Sequence, residues 1–439
     1  MGALLEEVDI LIKGCMILPM NKHAWTEDGA LALKDGQIAF VGKNACAPRM
    51  KAETTINAER KVALPGLVNC HTHLPMTLFR GLAEDKPLQS WLKEAIWPLE
   101  AKLKSRDIEA GASLGCLEMI KSGTTCFGDI YFHESAVAEA VRESGLRAVL
   151  AEGVVEAGNK ALGEKMFNRS MKFAEAFKGY ADGRIGTMLG PHAAYSCGQD
   201  LLVRIREAAS KLDVGVHMHL AESKVSFEDC EAKYGLSEVQ FLDKLGFLND
   251  HVLGAHCVDL SDIDKRTIAR RGVNVVYVPV SNMKLGLGIA PINDLKVLGA
   301  NIGLGTDGAA SNNSLDMFET MKFGALLQKL AYSDPTVLPA YEVLRMATIS
   351  GAKALGLEKE IGTLEAGKKA DLILVDLSEP HLKPLYNIYS SLVYCARGSD
   401  VDTVIVDGKV LMEDKHVKTL DEGTVIERAG ESAADLLSR

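Results

Sequence analysis

The chain has 439 residues, of which 47% are hydrophobic and 25% charged, with a formal net charge of −10. This is ample apolar material for a large α/β barrel with a smaller accessory domain. The acidic balance excludes nucleic acid and anionic membrane as partners, since both need a basic face.

In chain order, residues 1 to 62 read as short strands with turns: 8–12, 29–33 and 37–41, with Lys34-Asp35-Gly36 as a hairpin turn. This β-piece is too small to bury its own core. Its expected partner lies at the other end, where 371–375 and 401–406 read as strands and Asp407-Gly408 opens a further hairpin. Between the ends the pattern changes to strands at 62–70, 124–130, 147–154, 183–191, 214–220, 251–257, 273–279 and 301–306. Helical stretches at 102–121, 134–144, 165–180, 199–211, 261–271, 314–330 and 340–355 alternate with them or follow. The reading is a (β/α)8 TIM-type barrel over 63–364, with a small composite β-sandwich domain built from 1–62 and 365–439.

The nine cysteines are dispersed, odd in number and without a Cys-x-x-Cys pair, which suits reduced thiols rather than a disulfide framework. Acidic residues stand near the N-terminus where a signal peptide needs a basic region, and no apolar run approaches a membrane span. A cytoplasmic location is expected.

In such a barrel, chemistry gathers at the C-terminal ends of the strands. The apolar run ending in Asn69-Cys70-His71-Thr72-His73 places two imidazoles on one strand face. The fifth strand ends at His217-Met218-His219-Leu220-Ala221-Glu222, the sixth at His256 and the eighth at Asp307. Imidazoles and carboxylates at four strand ends are the donor set of a metal site with an acid–base group beside it.

With these residues the chain resembles the amidohydrolase superfamily, and within it the 5′-methylthioadenosine/S-adenosylhomocysteine deaminases. The resemblance runs over nearly the whole chain. It is carried by the 65–73 stretch, Phe79-Arg80-Gly81-Leu82-Ala83, Trp91-Leu92, Ile96-Trp97-Pro98-Leu99-Glu100, Gly190-Pro191-His192, His219-Leu220-Ala221-Glu222 and Gly254-Ala255-His256-Cys257. Ser281-Asn282-Met283-Lys284-Leu285-Gly286 and the 303–313 stretch around Asp307 complete it.

Carried over residue by residue, the resemblance makes His71, His73, His219 and Asp307 the ligands of one divalent metal ion per subunit. Zinc is the default for three imidazoles and a carboxylate, and iron or manganese fit the same ligands. No lysine ends the fourth strand, so one metal is read and not two. His217 is read as a packed histidine supporting the ligands. The metal would lower the pKa of a bound water to roughly 7, with Asp307 accepting its proton. Glu222 would protonate N1 of an adenine ring and later the leaving ammonia, and His256 would hydrogen-bond the attacking water. Glu100 matches a carboxylate gripping the ribose hydroxyls, Trp91 a pocket aromatic and His192 a further substrate contact. The implied partners are a small nucleoside and further copies of the chain.

One departure stands out. Where the family often has arginine at the end of the third strand, this chain has Glu152-Gly153, followed by Lys160 and no arginine shortly after. Loss of a guanidinium should weaken binding of an anionic homocysteine tail, with Lys160 in partial compensation, so neutral 5′ groups are expected to do at least as well. The alternatives are a deaminase or dechlorinase of another aromatic ring (guanine, pterin, triazine), to which Glu100 would offer nothing, and a barrel that only binds. The latter would be expected to break the set His71, His73, His219, Glu222, His256 and Asp307, which is complete here.

Overall fold

Strands rich in β-branched and apolar residues open the chain, and the computed structural model describes residues 6–439. In order they are β1 (Glu6–Ile17), β2 (Thr26–Lys34), β3 (Gln37–Lys43), β4 (Met50–Asn57) and β5 (Lys61–Pro65). The barrel strands follow: β6 (Leu67–Thr72), β7 (Thr124–Tyr131), β8 (Arg147–Val154), β9 (Ile185–Pro191), β10 (Gly215–Leu220), β11 (Val252–His256), β12 (Asn274–Tyr277) and β13 (Ile302–Leu304). The last four are β14 (Leu372–Asp376), β15 (Val401–Val406), β16 (Lys409–Glu413) and β17 (His416–Val417).

β6 to β13 form the eight-stranded barrel sheet in sequence order, every pair parallel. Side chains and backbone join its first and last strands. Asn69 donates to Thr306 Oγ1 (2.7 Å) and accepts from the Thr306 N–H (3.0 Å), and the Asp307 N–H reaches the His71 carbonyl (2.9 Å). These contacts bring the end of β6 and the end of β13 to one spot.

The two chain ends pair as expected, β5 against β14 in the register Leu64↔Ile373. They form one continuous mixed sheet, β17-β16-β15-β14-β5-β1-β2-β3 with β4 beside β1. Ile10, Ile12, Leu31, Ile56, Leu372 and Ile405 pack together in a core of its own. Arg147 at the start of β8 clasps this sheet to the barrel through Asp371, Nε to Oδ2 2.7 Å and Nη2 to Oδ1 3.1 Å, with both residues buried. Removing one partner of such a pair costs about 3–5 kcal/mol.

Three local expectations are corrected. The single strand expected over 62–70 is two strands in two sheets, β5 and β6, and the change of sheet falls at Gly66, inside the expected barrel boundary at 63. A Cβ on Gly66 would lie 2.0 Å from Thr125 Oγ1, so a side chain there would block the crossing. The helix expected over 340–355 is Ala340–Met346 and Ile349–Ala354, because the Ala347 carbonyl turns to accept the Val68 N–H (2.8 Å) and Thr348 leaves helical geometry. The C-terminal segment is only partly β: helix Glu422–Ser438 packs on barrel helix Ser105–Lys121. Among the described residues no helix is long and apolar enough to cross a membrane.

Candidate active site

The strand ends bring His71, His73, His219, His256 and Asp307 together, as expected. His71, His73 and His219 each place one nitrogen within 4.8 Å of the others, and His71, His256 and Asp307 form a second, overlapping set. His73 Nε2 lies 3.2 Å from His219 Nε2 and 3.2 Å from Asp307 Oδ1, and His71 Nε2 lies 3.5 Å from the same carboxylate oxygen.

Each imidazole is turned inward by what its other nitrogen meets. His73 Nδ1 donates to the Ile130 carbonyl (2.6 Å), His219 Nδ1 to the His192 carbonyl (2.8 Å) and His256 Nδ1 to Asn282 Oδ1 (2.9 Å). His71 Nδ1 pairs with His217 Nε2 (2.7 Å), so His217 supports a neighbour, as read from sequence. Four Nε2 atoms are left facing one point, and those of His71 and His256 are buried without any hydrogen-bond partner. The Asp307 Oδ2 atom accepts the Ser281 and Ser311 hydroxyls (2.5 and 2.9 Å), which aims Oδ1 at the imidazoles.

The electrostatics call for a cation. Burial holds His71 well below its ordinary value, and brings His219 down to about 4 and His256 lower, so these rings keep free lone pairs. Burial also opposes protonation of His73, but Asp307 outweighs it and lifts that ring to about 9. Burial alone would raise Asp307; His71 and His73 overcome it and hold the carboxyl well below the usual carboxylate range. Converging orphaned nitrogens with a dissociated carboxylate are donors a divalent metal fits, each second nitrogen already satisfied.

A cavity of about 450 Å³ opens on this cluster, and its wall includes His73, Trp91, Glu100, His192, His219, Glu222 and Asp307. Glu222 is 8% exposed, lies 3.8 Å from His256 Nε2, and has its carboxyl pushed up by burial, with the Asp307 charge adding to this. Trp91 is buried, and His192 pairs through Nδ1 with Ser196 Oγ (3.0 Å). Glu100 accepts the Tyr131 hydroxyl (2.7 Å), which works against the burial that raises its carboxyl.

Sequence reasoning missed several wall residues. Tyr131 ends the second barrel strand and Phe132 follows it, where the strand-end rule should have found them. Leu162 and Met166 come from helix Lys160–Phe177 and carry no local signal, since only packing brings that helix over the barrel mouth.

The expectation built on Glu152 and Lys160 is corrected. Glu152 is 2% exposed; it accepts the N–H groups of His133 (3.0 Å) and Glu134 (2.8 Å) at the start of helix Glu134–Ser144 and pairs with Arg169. Lys160 is exposed, 3.8 Å from Asp200. Neither charge lines the cavity, and among the described residues its wall contains no lysine or arginine.

Residues 62–411 match the model of the amidohydrolase family. The chain is 47% identical over 432 residues to a 5′-deoxyadenosine deaminase of Methanosarcina acetivorans, covering 98% of this chain and 99% of the relative. It is 50% identical over 413 residues to a 5-methylthioadenosine/S-adenosylhomocysteine deaminase of Moorella thermoacetica, covering 94% and 96%. The crystal structure of an adenosine deaminase from Xanthomonas campestris with bound zinc superposes with a TM-score of 0.96 at 35% identity, covering 99% and 100%.

Proposed function

The chain belongs to the amidohydrolase family, and on that premise we propose that it is a metal-dependent deaminase of adenine nucleosides, in which water replaces the 6-amino group, ammonia leaves and the inosyl product remains. The observation that carries this reading is one cavity wall holding both a buried carboxyl beside the imidazole cluster, Glu222, and a second carboxyl held by a tyrosine, Glu100. The first suits a proton donor to a ring nitrogen; the second suits a vicinal diol, since a carboxylate accepts two hydrogen bonds.

His71, His73, His219 and Asp307 would hold one divalent ion, zinc by donor type, with iron and manganese as the other fits. When bound, that ion supplies a water acidic enough to attack at neutral pH. The chain's own groups do the rest. Asp307, dissociated and aimed by Ser281 and Ser311, takes the water's proton. Glu222, whose raised carboxyl keeps a proton longer than an exposed glutamate would, delivers it to N1 as C6 becomes tetrahedral; the water's proton held by Asp307 then passes through Glu222 to the departing ammonia, and the C6 hydroxyl returns its own proton to Glu222 as the carbonyl forms. His256 Nε2, free of any other partner, hydrogen-bonds the attacking water. Trp91 and His192 contact the substrate from the cavity wall.

The rest of the wall is largely apolar, with Phe132, Val155, Leu162 and Met166, and among the described residues it offers no lysine or arginine for a tail carboxylate. This favours neutral 5′ groups, such as those of methylthioadenosine, 5′-deoxyadenosine or adenosine, over S-adenosylhomocysteine. The barrel does the chemistry and the composite terminal sheet supports it. The nine free cysteines suit a cytoplasmic protein, and the exposed Phe323, Leu326 and Leu330 on helix Met317–Tyr332 suit contact with another copy of the chain.

The test is ammonia release by the metal-loaded protein from adenosine, methylthioadenosine, 5′-deoxyadenosine, S-adenosylhomocysteine, adenine, guanine and a chlorotriazine. The nucleosides should react and the free bases should not, with the neutral 5′ groups at least as fast as S-adenosylhomocysteine. Turnover of only a free base or the triazine would overturn the role of Glu100 and the substrate class together.

A further inference from the structure

One buried carboxyl group beside the site takes part in none of these steps. Glu238 opens helix Glu238–Lys244 and is 2% exposed. The turn before it is fixed by Ser237, whose hydroxyl accepts the Gln240 N–H (3.2 Å) and donates to Asp264 (2.5 Å). From outside the barrel, Glu238 reaches two strand-end loops at once: Oε2 accepts the Ala221 N–H (3.1 Å) and Oε1 the Ala194 N–H (3.3 Å).

Both contacts fall where the chemistry needs a fixed backbone. Ala221 immediately precedes Glu222 and stands at φ +47°, a left-handed conformation that costs a residue with a Cβ free energy unless its surroundings enforce it. Its carbonyl is held too, by the N–H groups of Val258 (2.9 Å) and Asp259 (3.1 Å). Ala194 lies in the loop that brings His192, Tyr195 and Ser196 to the cavity wall. One side chain thus couples the end of β9 to the end of β10.

We infer that Glu238 is a positioning residue for the deamination: by clamping the Ala221 and Ala194 amides it holds Glu222 in line with the ring nitrogen it protonates. This rests on the reading of Glu222 as proton donor. A misplacement of about 1 Å can cost about a hundredfold in rate, so the clamp can matter without touching substrate.

The test is a double-mutant cycle on the metal-loaded enzyme, with an amide-exchange measurement beside it. Glu238→Gln keeps one acceptor but sets an NH2 against the other N–H, and should lower kcat by about 10- to 100-fold. Glu238→Asp, which keeps both acceptors on a shorter stem, should lose less. In a Glu222→Gln background the Glu238→Gln change should alter kcat by less than about threefold, because a residue acting through Glu222 has nothing left to position. Equal losses in both backgrounds, or wild-type kcat in the single variant, would overturn the proposal. Wild-type kcat in Glu222→Gln alone would instead overturn the reading of Glu222. Should the Glu238 variants not fold, hydrogen exchange on the wild-type enzyme decides. The Ala221 and Ala194 amides should be strongly protected, and rapid exchange at both would refute the clamp.

Discussion

His217 Nε2 lies 2.7 Å from His71 Nδ1, with both rings buried. This contact decides which nitrogen of His71 faces the other imidazoles and Asp307, and no other side chain of the cluster performs that service for it. Replacing His217 by Phe should therefore lower metal affinity by about 10- to 100-fold. Chelator competition measures it directly; unchanged affinity would mean that packing alone orients His71.

Glu222→Gln should remove the proposed proton donor while leaving shape intact. A fall in kcat of about 10²- to 10⁴-fold is expected, with metal content unchanged. Activity within a few-fold of wild type would discard Glu222 as the acid.

Tyr131→Phe should act only on substrates that have a ribose diol, since its hydroxyl reaches Glu100 and its ring stays in place. One net hydrogen bond is worth about 1 kcal/mol, so KM for methylthioadenosine should rise about fivefold. The 2′,3′-dideoxy analogue should be unaffected. An equal rise for both substrates would detach Tyr131 from Glu100.

Restoring arginine at position 152 should not restore an anionic-tail pocket. Glu152→Arg takes a buried carboxylate from the His133 and Glu134 N–H groups and sets a second cation against Arg169, an expected loss of about 3–5 kcal/mol. Thermal unfolding should shift down without a gain in kcat/KM for S-adenosylhomocysteine. A gain at unchanged stability would show that the residue swings into the cavity.

Acid stability should depend on Asp107. Burial alone would raise its carboxyl, but Arg439, the Lys104 N–H and Ser432 outweigh burial and bring it from 3.8 down to about 2. A depressed folded-state value gives stability that is fully present above about pH 4 and is lost as pH falls through about 2, worth about 2 kcal/mol. The gap in urea midpoint between wild type and Asp107→Asn should narrow from pH 7 to pH 3 and close only below about pH 2. A constant gap between them would place the contribution elsewhere.

The barrel was legible in the alternation of eight apolar runs with helical stretches, and the site in the polar groups at His71, His219, His256 and Asp307 where those runs stop, both one-dimensional signals. The 62–70 run misled for the same reason: an unbroken apolar stretch cannot show that Gly66 divides it between two sheets. The Glu152 argument failed because position along a strand says which face a side chain takes, but not that backbone N–H groups and Arg169 will claim its carboxylate.

What the amino-acid sequence determined by itself was the type of each donor and its place at a strand end, because residue chemistry and the alternation of a strand are local properties. Which nitrogen of each imidazole faces inward, which carboxyl keeps its proton and which charge reaches the cavity were decided only in the tertiary structure. Those outcomes depend on hydrogen-bond partners and burial supplied by segments far away in the chain, such as His217 for His71 and Glu238 for Ala221.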